Sequence, residues 1–153
     1  MILTLKILAV LCLFCLAVAT RAEITFHGKS SPAGAKGTGS VNVSYPVVSA
    51  GDMILLFVAN KYPTNGPSQP TNFLLVANSQ GSGGQGTDGL DVGHTYTTVY
   101  YKIASGVESG LVGVTITGGN SAAGVMISYS KGASSTWDMV ATNGADNSGG
   151  ATS

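Results

Sequence analysis

The sequence predicts an all-β protein: an antiparallel β-sandwich, jelly-roll-like, with seven or eight short strands and long glycine-rich loops. Three observations predict it. Apolar residues recur with period two or in short solid runs, and no segment shows the 3.6-residue period of a helix. Only 9% of residues are charged and 22 are glycine, a composition of strands and turns rather than of a helical cytosolic enzyme. Turn formers separate the apolar segments at the short intervals typical of sandwiches and jelly rolls.

Residues 1–22 read as a removable export signal. Lys6 precedes an unbroken apolar run at residues 7–19, which suits a signal core but falls short of the ~20 residues a bilayer-spanning helix needs. Ala17-Val18-Ala19 and Thr20-Arg21-Ala22 both offer small residues for cleavage, and the strand-like pattern that opens at Glu23 favours the cut after Ala22. Removing 22 of the 153 residues leaves 131, enough for one modest core. Cys12 and Cys15 leave with the signal, so disulfides, thiol catalysis and thiolate metal sites are closed to the mature chain. Five lysines then stand against seven acidic residues, a formal charge of −2, and no arginine remains. Nucleic-acid binding needs clustered Lys and Arg and is disfavoured. The expected location is extracellular or surface-associated, a virion included, with no membrane span after the signal is removed.

The elements follow in order. Residues 23–27 alternate, with Ile24 and Phe26 on one face. Residues 30–39 read as a flexible connector. Residues 40–45 alternate cleanly, with Val41, Val43 and Tyr45 inward. Ala50-Gly51-Asp52 turns the chain into residues 53–59, a solid apolar run that suits a strand covered on both faces or central in a sandwich. Pro63, Pro67 and Pro70 make residues 61–71 a loop, and residues 73–77 are the next strand. Residues 78–93 hold six glycines and form a long polar loop. Residues 95–103 alternate again, and adjacent Tyr100 and Tyr101 must point to opposite faces, so at most one is core. Residues 111–117 and 123–129 are two strands joined by Gly118-Gly119-Asn120-Ser121, a hairpin-type connection. Residues 137–141 are a candidate last strand. One β-sandwich domain therefore spans residues 23–142, followed by a flexible Gly/Ser/Asn tail at 143–153.

The catalytic inventory is thin. His27 and His94 are the only imidazoles, and each reads as a solvent-facing strand-end residue without companions at metal-ligand spacing. Residues 81–86 match the glycine spacing of a dinucleotide loop, but the residues that follow do not start the helix that would hold a pyrophosphate. Asp88, Asp91 and Asn78 supply too few oxygens for a calcium ion, which takes six to eight. Asp52 fits a turn in which it accepts backbone hydrogen bonds. Glu108 stands alone, without the second carboxylate of a glycosidase. No catalytic residue, cofactor or metal is expected, and the chain reads as a non-enzyme. Tyr101 and Trp137 are candidate contact residues, and Asn42-Val43-Ser44 is a glycosylation sequon if the source is eukaryotic.

Three segments carry a resemblance. They are Ala50-Gly51-Asp52 leading into the apolar run 53–59, then Tyr100-Tyr101-Lys102 followed by Ile103-Ala104, then the apolar strand 122–128 followed by Tyr129 and Gly132. In this order they resemble a β-sandwich domain of bacteriophage tail or virion-associated proteins and bacterial surface proteins, over about residues 46–138. The chain departs from that pattern where those domains carry a Gly-Trp pair, at Asn72-Phe73, and where they continue with further strands beyond Trp137-Asp138. The resemblance implies a structural or adhesive role, with self-association or other surface and virion proteins as partners. Strand exchange into a filament is one expected mode of assembly. The alternative reading is an extracellular carbohydrate-binding module that engages glycans through Tyr101 and Trp137.

Overall fold

The computed structural model describes residues 23–36, 39–61, 66–77, 79, 81–85, 94–117, 121–132 and 135–138, with residues 81–85 and 94 placed by their backbone alone. The fold is all-β. Among the described residues there is no helix, and the strands form two antiparallel sheets. They are β1 (Ile24–Lys29), β2 (Ala33–Lys36), β3 (Gly39–Ser44), β4 (Met53–Lys61), β5 (Leu74–Leu75), β6 (Gly81–Gln85), β7 (His94–Ile103), β8 (Leu111–Ile116) and β9 (Ser121–Lys131). The large sheet runs β1-β9-β4-β7-β5, with β2 also paired to β9 and β6 to β7. The small sheet is the β3–β8 pair.

Three long strands form the centre of the large sheet. β4 pairs along its whole length with β7 on one side, from Met53 opposite Ile103 to Lys61 opposite Thr95. On its other side it pairs with β9, from Met53 opposite Tyr129 to Lys61 opposite Ser121. The apolar run 53–59 is thus the central strand, as its sequence suggests. Partners directly opposite share a face, so Ile54, Leu56 and Val58 look to one side together with Tyr100 and Met126. This inner side carries the core. Val41 and Val43 of β3 and Val114 and Ile116 of β8 are packed against it, with Phe73, Ala104 and Ala122. Burying each large aliphatic side chain stabilises by about 1.5–3 kcal/mol, more than the about 0.5–1.5 kcal/mol net of one hydrogen bond. Packing of β3–β8 on the inner face therefore outweighs any single polar contact in the molecule.

Both long edges of the central three strands are covered in two pieces. β1 and β2 share the outer edge of β9, and Ser30 sits between them. There the Ser30 amide donates to the Met126 carbonyl at 2.9 Å, and the Met126 amide donates to Ser30 Oγ at 2.9 Å. β5 and β6 share the outer edge of β7, and Ser79 fills that break in the same way. The Val99 amide donates to Ser79 Oγ at 3.1 Å, while the Val76 amide and the Ser79 hydroxyl both donate to the Val99 carbonyl. In each case a serine hydroxyl stands in for the missing backbone acceptor. No buried ladder group is left without a partner at the break.

Three expectations are corrected. The connector 30–39 contains β2, whose inward residues are the small Ala33 and Ala35, packed against the core; alternating alanines give too weak an apolar signal to stand out. The polar loop 78–93 contains β6, a Gly-Ser-Gly-Gly-Gln strand whose only qualification is backbone pairing to β7. β8 and β9 do not form a hairpin. β8 pairs with β3 in the second layer, because both edges of β9 are already taken by β4 and by β1 and β2. Trp137 and Asp138 are not in a strand, and residues 139–141 lie outside the described residues, as do the proposed signal and the tail. Among the described residues no helix is long and apolar enough to cross a membrane.

Gly124 sets the spacing of the layers. A Cβ there would meet Val43 Cγ2 at 2.7 Å and Val41 Cγ1 at 3.2 Å. Gly124→Val is therefore expected to lower stability by about 1–3 kcal/mol through overpacking, read as a lower midpoint in urea. Gly34→Ala on β2, where the nearest atom is 3.7 Å away, should stay within about 0.5 kcal/mol of the parent. Equal effects at the two positions would mean that the layer spacing is not set by Gly124.

Candidate functional site

Three places concentrate chemistry or unusual surface. The first is a histidine–carboxylate pair at one end of the large sheet. β1 bulges between Phe26 and Gly28, and the extra residue, His27, brings its ring to Asp52. Nδ1 lies 2.5 Å from Oδ2 of Asp52, with the histidine side chain 29% exposed and the aspartate side chain 4%. An ionised carboxylate can only accept, so Nδ1 carries the hydrogen and donates. The same Oδ2 accepts from the Ser49 amide at 2.7 Å, and the Asp52 carbonyl accepts from the Ala104 amide at 2.8 Å. Asp52 thus sits in its turn as expected. His27 is not the free strand-end residue that its sequence position suggests, since its partner lies 25 residues away.

A histidine held through Nδ1 by a buried carboxylate is the oriented half of a nucleophile–base–carboxylate arrangement. Chemistry of that type needs a hydroxyl or thiol on Nε2. Among the described residues none is hydrogen-bonded there, and the pair links β1 to the turn before β4. Among the described residues no three His, Cys, Asp or Glu side chains converge. Asn78, Asp88 and Asp91, the oxygens considered for calcium, lie outside the described residues, and the His94 side chain is not described.

The second place is the turn after β7. Glu108 accepts from the Ser105 amide at 2.8 Å, the Ser105 hydroxyl at 2.9 Å and the Gly106 amide at 2.9 Å. Lys102 Nζ lies 3.0 Å from its Oε1. Burial works against the charge, but the hydrogen bonds from Ser105 and Lys102 and its own amide outweigh it, holding the Glu108 carboxyl at about 2. Lys102 Nζ also stands 5.6 Å from the ring centroid of Tyr45 and 5.9 Å from that of Phe73, rings that are stacked at 6.4 Å. Glu108 is therefore the acceptor that closes its own turn, with Lys102 as its ion-pair partner. Beside it, Tyr45, Thr71, Ser109 and Leu111 line a polar cleft of about 330 Å³ with no charged side chain on its wall.

The third place is the outer face of the large sheet. Leu55 lies opposite Tyr101 and Ile127, and Phe57 opposite Val99 and Val125. All six are half-buried, flanked by the more exposed Phe26 and Ile103 at 56% and 45%. Phe26 meets Tyr129 edge to face, with centroids 6.2 Å apart. A hollow of about 190 Å³ opens on this face between Phe57, Ala59, Ala123 and Val125, with Pro32 at its side. Among the described residues the core cluster lies wholly on the other side of the sheet.

Of the sequence-level candidates, Tyr101 is on this outer face and Tyr100 in the core, as their adjacency requires. The Tyr100 hydroxyl donates to the Pro67 carbonyl at 2.5 Å, and burial raises its pKa. Trp137 donates its indole N–H to the Gly51 carbonyl at 2.8 Å, which makes it a brace on the turn before β4. Asn42 is exposed on β3, so the sequon is accessible. What the sequence did not reveal is the His27–Asp52 pair and the extent of the apolar outer face. The alternation of β7 and β9 was a signal for the latter. Comparison of the chain with protein-family models, curated proteins and solved structures gives no match.

Two outcomes are expected. His27→Ala leaves the buried Asp52 with the Ser49 amide alone and should cost about 1–3 kcal/mol, measured by urea unfolding at neutral pH; an unchanged midpoint would mean the pair does not hold β1. Because the folded Glu108 carboxyl lies below its unfolded value, its stabilisation is present above about pH 4.5 and is lost as pH falls toward 2. The parent should therefore lose stability in that window relative to Glu108→Gln. Parallel pH profiles for the two proteins would remove Glu108 as the cause.

Proposed function

We propose that the protein is a secreted, non-enzymatic β-sandwich subunit, structural or adhesive, of a surface or virion assembly. It works by burying the outer face of its large sheet against another protein layer. The observation that carries this reading is the outer face itself, apolar where Leu55 and Phe57 meet Tyr101, Val99, Ile127 and Val125, and without a covering sheet among the described residues. Contiguous apolar surface of this kind marks an interaction site on a soluble protein. A second layer there would cover β4 on both faces, the environment that an unbroken apolar strand suits. The export signal and the resemblance to phage and bacterial surface domains point the same way.

Strand exchange along an edge is the other route to a filament, and it has less support. Both long edges of the central sheet are occupied by short, broken strands, a poor template for continuous pairing. Glycan binding through Tyr101 and Trp137 is also weakened. The Trp137 indole N–H is engaged by Gly51, and Tyr101 sits among aliphatic neighbours in the sheet face.

The test is expression of the full 153-residue chain in a secreting host. Intact mass should show a product that begins at Glu23, recovered from the medium. Sedimentation and electron microscopy should show it associated with itself or with a particle. Retention in the cytosol with residues 1–22 intact, or turnover of a substrate by the purified protein, would sink the proposal.

A further inference from the structure

We infer that the cleft beside Tyr45 is a binding site for a neutral polyhydroxylated ligand the size of one sugar ring. The site lies apart from the outer face and adds a small ligand to the assembly reading above. Its floor is β8. The Ser68 amide donates to the Thr115 carbonyl at 2.9 Å, on the edge of β8 away from β3. Successive residues of an antiparallel strand turn their main-chain groups to alternate edges, so Leu111 and Gly113 direct N–H and C=O to the same edge as Thr115. On the β3 side the Tyr45 amide donates to the Gly110 carbonyl at 3.3 Å, as that alternation requires. Leu111 and Gly113 line the cleft, and Gly113 has no side chain to screen its peptide groups. Ser68 closes this edge at Thr115. Two residue spacings of main chain stay open between Leu111 and Gly113, about 7 Å at about 3.4 Å per residue. That length is too short for an added strand and suits one ring.

Three hydroxyl residues stand around this floor: Tyr45, Thr71 and Ser109. Among the described residues none of their hydroxyls is spent on a protein hydrogen bond, whereas the neighbouring Ser105 hydroxyl is taken by Glu108. The wall carries no charged side chain, and the adjacent Lys102 and Glu108 are paired with each other at 3.0 Å. Such a cleft offers nothing to neutralise an ion, which a desolvated charge requires. It offers hydroxyls that both give and take a hydrogen, beside the donor and acceptor of Gly113. A ring bearing several hydroxyls matches that set, and an apolar ligand would leave it unpaired. The volume of about 330 Å³ falls at the lower end of the about 300–1,000 Å³ of small-molecule sites. Tyr45 is already fixed, stacked on Phe73 at 6.4 Å with Lys102 Nζ 5.6 Å from its ring centroid, so little ordering is lost when a ligand arrives.

The experiment titrates the isotope-labelled exported protein with the methyl glycosides of glucose, galactose, mannose and N-acetylglucosamine, followed by amide NMR. At least one is expected to shift the Thr71, Leu111 and Gly113 amides, with a dissociation constant on the order of 1 mM. Thr71→Val and Ser109→Ala, both at exposed positions, should each weaken binding at least about fivefold. Gly113→Val, which fills the floor, should abolish it, and Tyr101→Ala on the outer face should leave it unchanged. Circular dichroism of each variant must match the parent; if Gly113→Val does not fold, the two exposed variants decide. The same shifts with an oligosaccharide ending in the active sugar identify a glycan terminus as the ligand, and binding of the monosaccharide alone identifies the free sugar; either upholds the site. Shifts confined to Tyr101 and its outer-face neighbours would overturn the inference. So would silence with every glycoside, an equal response to phosphate or acetate, or a short extended peptide that binds with cross-strand contacts to Leu111 and Gly113. None of these failures touches the sedimentation test of assembly.

Discussion

Val41 and Val43 reach the inner face of the large sheet because Gly124 has no side chain in their way. A Cβ at that position would sit 2.7 Å from Val43, so the glycine fixes how closely the β3–β8 layer approaches β9. That approach makes the core. The fully buried apolar residues of both layers, Ile54, Leu56, Val58 and Met126 among them, belong to this one cluster. The two-stranded layer is narrow, and its cover falls on one side of the central strands. Asn60 and the Thr98 hydroxyl are buried without a hydrogen-bond partner among the described residues, a local penalty that the surrounding packing outweighs.

One end of the central strands, where β4 begins and β7 ends, is tied by polar contacts that link residues far apart in the chain. At the β1 end, a one-residue bulge presents His27 to the buried Asp52. Trp137 holds the carbonyl of the preceding Gly51, and the Ser128 hydroxyl donates to Val47 at 2.7 Å. After β7, Glu108 closes its own turn and draws Lys102 over the Tyr45–Phe73 stack. These groups are titratable and resemble chemistry in isolation. In place, each also has a structural partner.

The edges and the face of the large sheet differ in kind. Each long edge is interrupted, with Ser30 or Ser79 supplying the acceptor that a continuous strand would have given. A broken edge resists addition of a foreign strand, whereas the outer face sets Leu55, Phe57, Val99, Tyr101, Val125 and Ile127 side by side across three strands. Association through the face needs no rearrangement of the backbone, and association through an edge would have to displace one of the short strands first.

The sequence by itself determined the all-β class, the central place of residues 53–59 and the opposite destinations of Tyr100 and Tyr101, because period-two alternation and the pleat are local properties of the chain. It also located the Asp52 turn, since an aspartate after glycine can satisfy nearby amides without help from distant residues. Only the tertiary structure decided that β8 leaves β9 for β3, that alanines 33 and 35 and a glycine-rich stretch serve as strands, and that His27 belongs to Asp52. The physical reason is the same in each case. Which edge is already occupied, how near two layers come and which side chain faces a carboxylate across 25 residues are set by packing between segments, and no single segment carries that information.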